Sequence, residues 1–332
     1  MTKLTMKDIA RLANVSQPTV SRVINGNKAV NEDIAKKVMK VIEEVGYIPN
    51  KAAQTLKKSS SHIIGVCVTE VYNPYFVELI ETLEAECRKI GYNILLHNSK
   101  HNPITEWESI QNFLARQVDG LILVPASDYN MQRISELSTP SVIITQNKPQ
   151  LDSIGLNHLQ AGKIVVESFI RAGHKKFGFI GTEIDEKFLG FDGSLRENGF
   201  TFDKRNYVRL EVTSIDNFLM RRDIEKYFTE VGRPDFTCAF AANDIMALEF
   251  MKAAQERNIR IPEDISLVGF DDTYLAKIMG ISSIHQPIEE MVKMTIEILQ
   301  NRIEHEVSST PVTIQLEPML IERNSSRWKR ID

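Results

Sequence analysis

Residues 5–26 read TMKDIARLANVSQPTVSRVING, and the placement of polar residues in that stretch decides how the first part of the chain folds. Thr5 precedes Met6, Lys7 and Asp8. This is a helix start, in which the hydroxyl accepts an amide bond and the acid suits the first turn. Ile9, Ala10 and Ala13 supply a short apolar stripe, and Asn14 tolerates the left-handed conformation that ends such a helix. Ser16 then caps a second helix. Pro18 falls in its first turn, where a missing N–H is harmless, and Val20, Val23 and Ile24 share one face. Two short helices across a three- or four-residue turn make a helix-turn-helix. A third helix is expected from Asn31 through Glu32 and Asp33, burying Ile34, Val38, Val41, Ile42 and Val45 and stopping at Gly46. The second helix keeps Ser16, Gln17, Thr19, Ser21 and Arg22 polar and outward. Gln and Arg are residues whose bidentate hydrogen bonds distinguish base edges in the major groove. A plain three-helix bundle with a polar face is the competing reading.

Charge separates this head from the rest of the chain. Residues 1–60 hold eleven Lys/Arg against five Asp/Glu, a balance of +6, whereas the remainder carries −10 and the whole chain −4. A basic head on an acidic body suggests that only the head approaches a polyanion. At 332 residues the chain exceeds what one core normally supports, so a multidomain protein is expected. Its 42% hydrophobic and 25% charged residues mark an ordinary globular composition with no low-complexity tract. Lys7, Asp8 and Arg11 interrupt the N-terminus, where a signal peptide needs an apolar run. Nothing approaches the roughly 18 apolar residues of a membrane span. The expectation is a cytoplasmic protein with no membrane partner. Cys67, Cys87 and Cys238 are odd in number and widely spaced, matching neither a disulfide framework nor a zinc pattern, and read as reduced core thiols.

The string at 5–26, followed by VGYIPNKAAQTL at 45–56, closely resembles the N-terminus of the LacI/GalR family of bacterial transcriptional regulators. The resemblance implies that Gln17, Pro18 and Arg22 face base pairs, with Ser16, Thr19, Ser21 and Asn25 nearer the backbone. Thr5, Asn50, Ala53, Gln54 and Leu56 complete the implied DNA-contacting set. Residues 49–60 are then a hinge helix that folds when two subunits sit on an operator. By itself this Pro-started, Ala-rich, basic stretch is too short to persist as a helix in water. Leu56 matches the apolar wedge that the family pushes into the minor groove, bending the DNA by unstacking a base step. Gln54 stands where the family usually has Arg, which weakens one backbone or minor-groove contact.

From Ile63 short apolar strands alternate with amphipathic helices, the pattern of βαβ units and parallel sheets. HIIGVCV, YNILLH, GLILVP and SVIIT supply one group of strands, and KFGFIG, YVRLEV, TCAFAA and SLVGF a second. Helices are expected near 74–90, 104–117, 158–173, 186–198, 217–230 and 244–258. Two groups of four strands suggest two doubly wound lobes. The family resemblance continues through NPYF (73–76), QVDGLILVP (117–125), AGHKKFGFIG (172–181), AANDIMALEFM (241–251), IPEDISLVGFDD (261–272) and SIHQP (283–287). It implies a two-lobed α/β core of the periplasmic-binding-protein type over 61–332, behind the helix-turn-helix domain at 1–48. The first lobe would take 61–157 and 288–320, with the final helix near 288–304 and the strand VTIQLEPMLIERN returning to it. The second would take 158–287 and 321–332.

Ligands of open α/β sheets bind beyond the carboxyl ends of the strands. Asn73, Thr145, Asn243 and Asp271 all follow expected strands, and Asn and Asp make the directional bonds that polyol hydroxyls require. By resemblance, Asn73 and Phe76 line the first-lobe side of an effector cleft, and Asn243, Asp271 and Gln286 the second-lobe side or crossover. Lys187 stands where the family typically has a gripping Arg, a fixed fork replaced by a point charge. Thr145-Gln146 and Asn157-His158 also depart from the frequent pairs, Asp-Arg and Asp-Asn. The effector class therefore stays open between free sugar, sugar phosphate and purine. A strand-ending Asn or Asp can equally be a helix cap.

No G-x-S-x-G or P-loop occurs, and Gly178–Gly181 falls short of a dinucleotide fingerprint, so no cofactor and no enzymatic chemistry are expected. His97 and His101 lack a third metal ligand and read as surface histidines. Asp271 and Asp272 could pass for a catalytic pair, but neighbours at an extended strand end point in opposite directions. The resemblance therefore implies a homodimeric repressor of carbohydrate-utilisation genes, bound to double-stranded operator DNA and controlled by a small sugar or sugar phosphate. An exported solute-binding protein is the rival reading, opposed by the basic head and the missing leader. An enzyme on the same scaffold is the third.

Overall fold

The structure is a computed structural model that describes residues 4–24, 30–47, 60–182, 185–211, 217–305 and 310–327. Asn25, Asn50, Ala53, Gln54 and Leu56, together with the rest of the expected hinge at 49–59, lie outside the described residues. The chain divides into two compact units, Met1–Ser61 and His62–Asp332.

Among the described residues the first unit holds three helices: α1 (Met6–Leu12), α2 (Gln17–Ile24) and α3 (Glu32–Val45). Each begins at a side-chain cap. Thr5 and Asp8 form a reciprocal capping box, Thr19 N–H donates to Ser16 Oγ at 3.3 Å, and Asp33 N–H donates to Asn31 Oδ1 at 2.9 Å. Asn14, at φ 49°, turns the chain out of α1, and Gly46, at φ 61°, ends α3. Ile9, Ala10, Ala13, Val20, Val38 and Tyr47 form the small core, with Val41, Ile42 and Val45 packed against it. Ile34, expected in that core, is exposed on the first turn of α3.

The second unit contains two six-stranded sheets rather than two groups of four strands. The first runs β11 (Thr313–Leu316), β5 (Asp152–Leu156), β4 (Ser141–Thr145), β3 (Gly120–Leu123), β1 (Ile63–Val68), β2 (Asn93–Asn98), all parallel. The second runs β12 (Met319–Ile321), β10 (Ser282–His285), β9 (Ser266–Asp271), β8 (Cys238–Ala241), β6 (Phe177–Gly181), β7 (Tyr207–Arg209), with only β12 antiparallel. β5 and β10 escape a reading by hydrophobicity because DSIGL and SSIH carry small polar residues. Those serines are buried and matched: Ser153 Oγ accepts from Lys148 N–H at 2.9 Å, and Ser283 Oγ donates to Asp244 Oδ1 at 2.6 Å. The expected single strand at 312–324 is two strands, one in each sheet. Met319 and Leu320 therefore belong to the second lobe, and the chain crosses between Leu316 and Met319. YVRLEV contributes only Tyr207–Arg209 as strand.

Near-continuous apolar strands such as IIGVCV are buried on both faces by helices, as parallel sheets require. Helix Ile288–Glu304 returns to the first lobe and packs on helix Pro74–Lys89. In the second lobe, helices His158–Arg171 and Glu186–Glu197 meet backbone to backbone. A Cβ on Gly190 would lie 2.0 Å from the Leu159 carbonyl oxygen, and one on Gly162 2.3 Å from that of Lys187. Cys67, Cys87 and Cys238 are all buried and unbridged.

Candidate DNA interface and ligand cleft

On α2 the apolar residues turn inward and the polar ones outward. Gln17, Pro18 and Arg22 are exposed, as is Ser16 at the cap, while Thr19 and Ser21 are half-buried. Ser16 and Thr19 share a hydroxyl bond of 2.8 Å, and the Thr5 hydroxyl donates to Asp8 at 2.7 Å. These three hydroxyls therefore support helix starts, whereas Gln17 and Arg22 present amide and guanidinium to solvent.

A cleft of about 560 Å³ opens where strands of both sheets of the second unit end. Asn73, Phe76, Thr145, Lys187, Asn243, Asp271 and Gln286 all line it, so the seven residues singled out from sequence come together from six separate strand ends. Asp271 is its hub. Gln286 Nε2 donates to Oδ1 at 2.7 Å and Asn73 Nδ2 to Oδ2 at 3.4 Å, which joins the two lobes through one carboxyl. Burial pushes the Asp271 pKa well above the ordinary carboxylate range; Asp244 adds to the rise, and Lys187, Gln286 and Asn73 oppose it. Asp271 holds φ 106° and Thr145 φ 78°, left-handed conformations at the cleft floor.

Asp272 faces elsewhere, though not through extended alternation, since it too is left-handed at φ 54°: its carboxyl accepts from Arg323 at 2.6 Å and bonds His285 at 3.0 Å. Asp244, unforeseen, braces the floor from below. It accepts from Thr273 N–H at 2.7 Å, Thr273 Oγ1 at 2.9 Å and Ser283 Oγ at 2.6 Å. Gly269 leaves room for it, since a Cβ there would lie 2.4 Å from Asp244 Oδ1. Burial raises its pKa too.

Several cleft residues also hold secondary structure. Asn73 accepts from Tyr75 N–H at 3.0 Å and Asn243 from Met246 N–H at 2.8 Å, so each caps a helix while facing the cleft. Lys187 lies with Nζ 3.3 Å from Asp185 and 4.6 Å from the Phe270 ring centre, a cation–π placement. His158 meets the same ring edge-on at 5.4 Å. Sequence reading missed Glu70, Tyr75, Asn147, His158 and Phe270 as lining residues. The strand-end rule would have reached Glu70 and Phe270. His101, read as a surface histidine, is half-buried in the cleft wall 4.0 Å from Glu70, because φ 54° at His101 folds the loop inward; burial lowers its pKa. No cluster of three His, Cys, Asp or Glu suited to a metal occurs among the described residues, and no helix among them is long and apolar enough to cross a membrane.

Two family descriptions match the chain: bacterial regulatory proteins, lacI family, over residues 5–50, and periplasmic binding protein-like domain over 166–326. The chain is 33% identical to a ribose operon repressor of Haemophilus influenzae, covering 97% of this chain and 98% of that protein. It is 32% identical to the HTH-type transcriptional repressor PurR of Photobacterium profundum, at the same coverages. In fold it is similar to a Lac repressor bound to ONPG in the repressed state. The TM-score is 0.84 at 23% identity, over 98% of this chain and all of that one.

Proposed function

Because the chain belongs to the lacI family of bacterial regulatory proteins, we propose that it is a repressor of carbohydrate-utilisation genes whose grip on operator DNA is set by a sugar or sugar phosphate in the cleft. Gln17, Pro18 and Arg22 read base edges, and Ser16, Thr19 and Ser21 position the helix on phosphates. A short recognition helix covers only a few base pairs, so two copies of the chain bind paired half-sites as a homodimer in the cytoplasm. Asn25, Asn50, Ala53, Gln54 and Leu56 complete the interface when the hinge folds on the operator, Leu56 as the wedge. We assign the protein no reaction, in keeping with relatives that are repressors.

One observation carries the effector half: Asp271, at a second-lobe strand end, is bonded by Asn73 of the first lobe and by Gln286. A ligand that competes for those bonds has different contacts in open and closed lobes, which is what a population shift requires. The test is footprinting on the upstream region of the regulated genes. Arg22→Ala should lose protection and base preference, whereas Asp271→Ala should keep protection and lose its response to effector. Unchanged footprints from Arg22→Ala remove α2 as the reading helix. An unaltered response from Asp271→Ala removes the cleft hub.

A further inference from the structure

The cleft discriminates by charge. Resting on its reading as the effector site, we infer that the effector is an uncharged, hydroxyl-rich molecule and that Glu70 rejects its phosphorylated form. Proteins recognise phosphate through guanidinium forks, lysines or the open amides of helix N-termini. Among the described residues no arginine lines this cleft, and its two lysines are engaged, Lys187 with Asp185 and Lys148 with Asp128.

The helix starts are partly taken as well. Four helices begin at the cleft, and each uses its own cap side chain to occupy a first-turn amide. Tyr75 N–H donates to Asn73 at 3.0 Å, Gln160 N–H to Asn157 at 3.0 Å, Lys187 N–H to Asp185 at 2.9 Å and Met246 N–H to Asn243 at 2.8 Å. What remains is acceptor-rich. Glu70, Asp185, Glu186 and Asp271 bring four carboxyl groups to the lining, and Gln286 Oε1 and Asn147 Oδ1, like Tyr75 Oη and His101 Nε2, are buried without a hydrogen-bond partner among the described residues. Buried acceptors that lack partners cost free energy, and a ligand with several O–H donors removes that cost. The phosphate group of an ester adds only acceptors and negative charge to a wall that already holds Glu70. A purine could cover Phe76 and Phe270, but it has too few donors for this wall.

Titration calorimetry of the full chain tests the inference. The probes are D-ribose, D-glucose and myo-inositol, each beside its monophosphate ester, together with hypoxanthine, on wild type, Glu70→Gln and Asp271→Ala. A free sugar should bind on the order of a hundredfold more tightly than its ester, the size of a like-charge encounter at a few ångströms in a partly buried site. Glu70→Gln should narrow that ratio about tenfold; a merely structural Glu70 would weaken both ligands and leave the ratio alone. An ester binding as tightly as its sugar, or hypoxanthine binding more tightly than every sugar, overturns the inference while sparing the cleft if Asp271→Ala abolishes that binding. Sugar binding that survives Asp271→Ala overturns the cleft as the effector site, and the inference with it.

Discussion

The head and the cleft hold their proposed recognition residues in opposite ways. On α2, Gln17 and Arg22 stand in solvent above a core of six buried residues and take no part in it. In the cleft, Asn73, Asp271 and Gln286 are themselves buried, and Asn73 and Asn243 also cap helices. The difference teaches that DNA reading is separable from stability, whereas ligand sensing is built from groups that also hold the lobes. A sensor must change the balance between two packings, so its contacts belong to the packing.

The largest expected effect that would sharpen this contrast lies beneath the cleft. Gly190→Ala places a methyl against the Leu159 carbonyl, backbone against backbone, where neither helix can yield. It should lower the unfolding free energy of the second unit by about 3 kcal/mol. Urea unfolding should show that loss with the melting of the head's helices unchanged, and a shared loss would break the separation. His174 tests the same unit through pH. It is buried between Thr237 at 2.8 Å and Ser266 at 3.1 Å, and burial lowers its pKa to about 4. The unfolded chain takes up the proton near pH 6.5 and the folded one only near 4. Stability is thus full above the first value and falls between the two, by up to roughly 3 kcal/mol. His174→Asn should flatten that acid limb in thermal melts run at successive pH values.

Smaller effects belong to the head. Arg22→Ala should cost about 1–3 kcal/mol of specific operator affinity, with urea midpoint and effector affinity untouched. A drop in stability beyond the error of the melt would mean that Arg22 also supports the fold. Thr5→Ala removes the capping box and should destabilise the head by about 1 kcal/mol, leaving the second unit's transition in place.

Legibility followed locality. Caps and helix ends at Thr5, Ser16, Asn31 and Gly46 depend on neighbours two to four residues away, and the chain announces them. The strand-end rule gathered Asn73, Thr145, Asn243 and Asp271 for a related reason: a parallel sheet sends every strand's carboxyl end the same way, whereas Phe76, Lys187 and Gln286 came from the family resemblance. It missed His101, whose approach to Glu70 depends on a left-handed loop residue, and Asp244, whose partners Thr273 and Ser283 lie 29 and 39 residues on.

The amino-acid order by itself therefore determined the three-helix head, the alternation of strand and helix and the polar residues at the strand ends. Only tertiary structure decided that the serine-bearing strands β5 and β10 lie inside the sheets, that residues 313–321 divide between lobes, and that Asp271 enters the cleft while Asp272 turns to Arg323. Periodicity and capping are energies of adjacent residues. A buried serine or carboxyl is stable only when a partner from a distant element arrives to satisfy it.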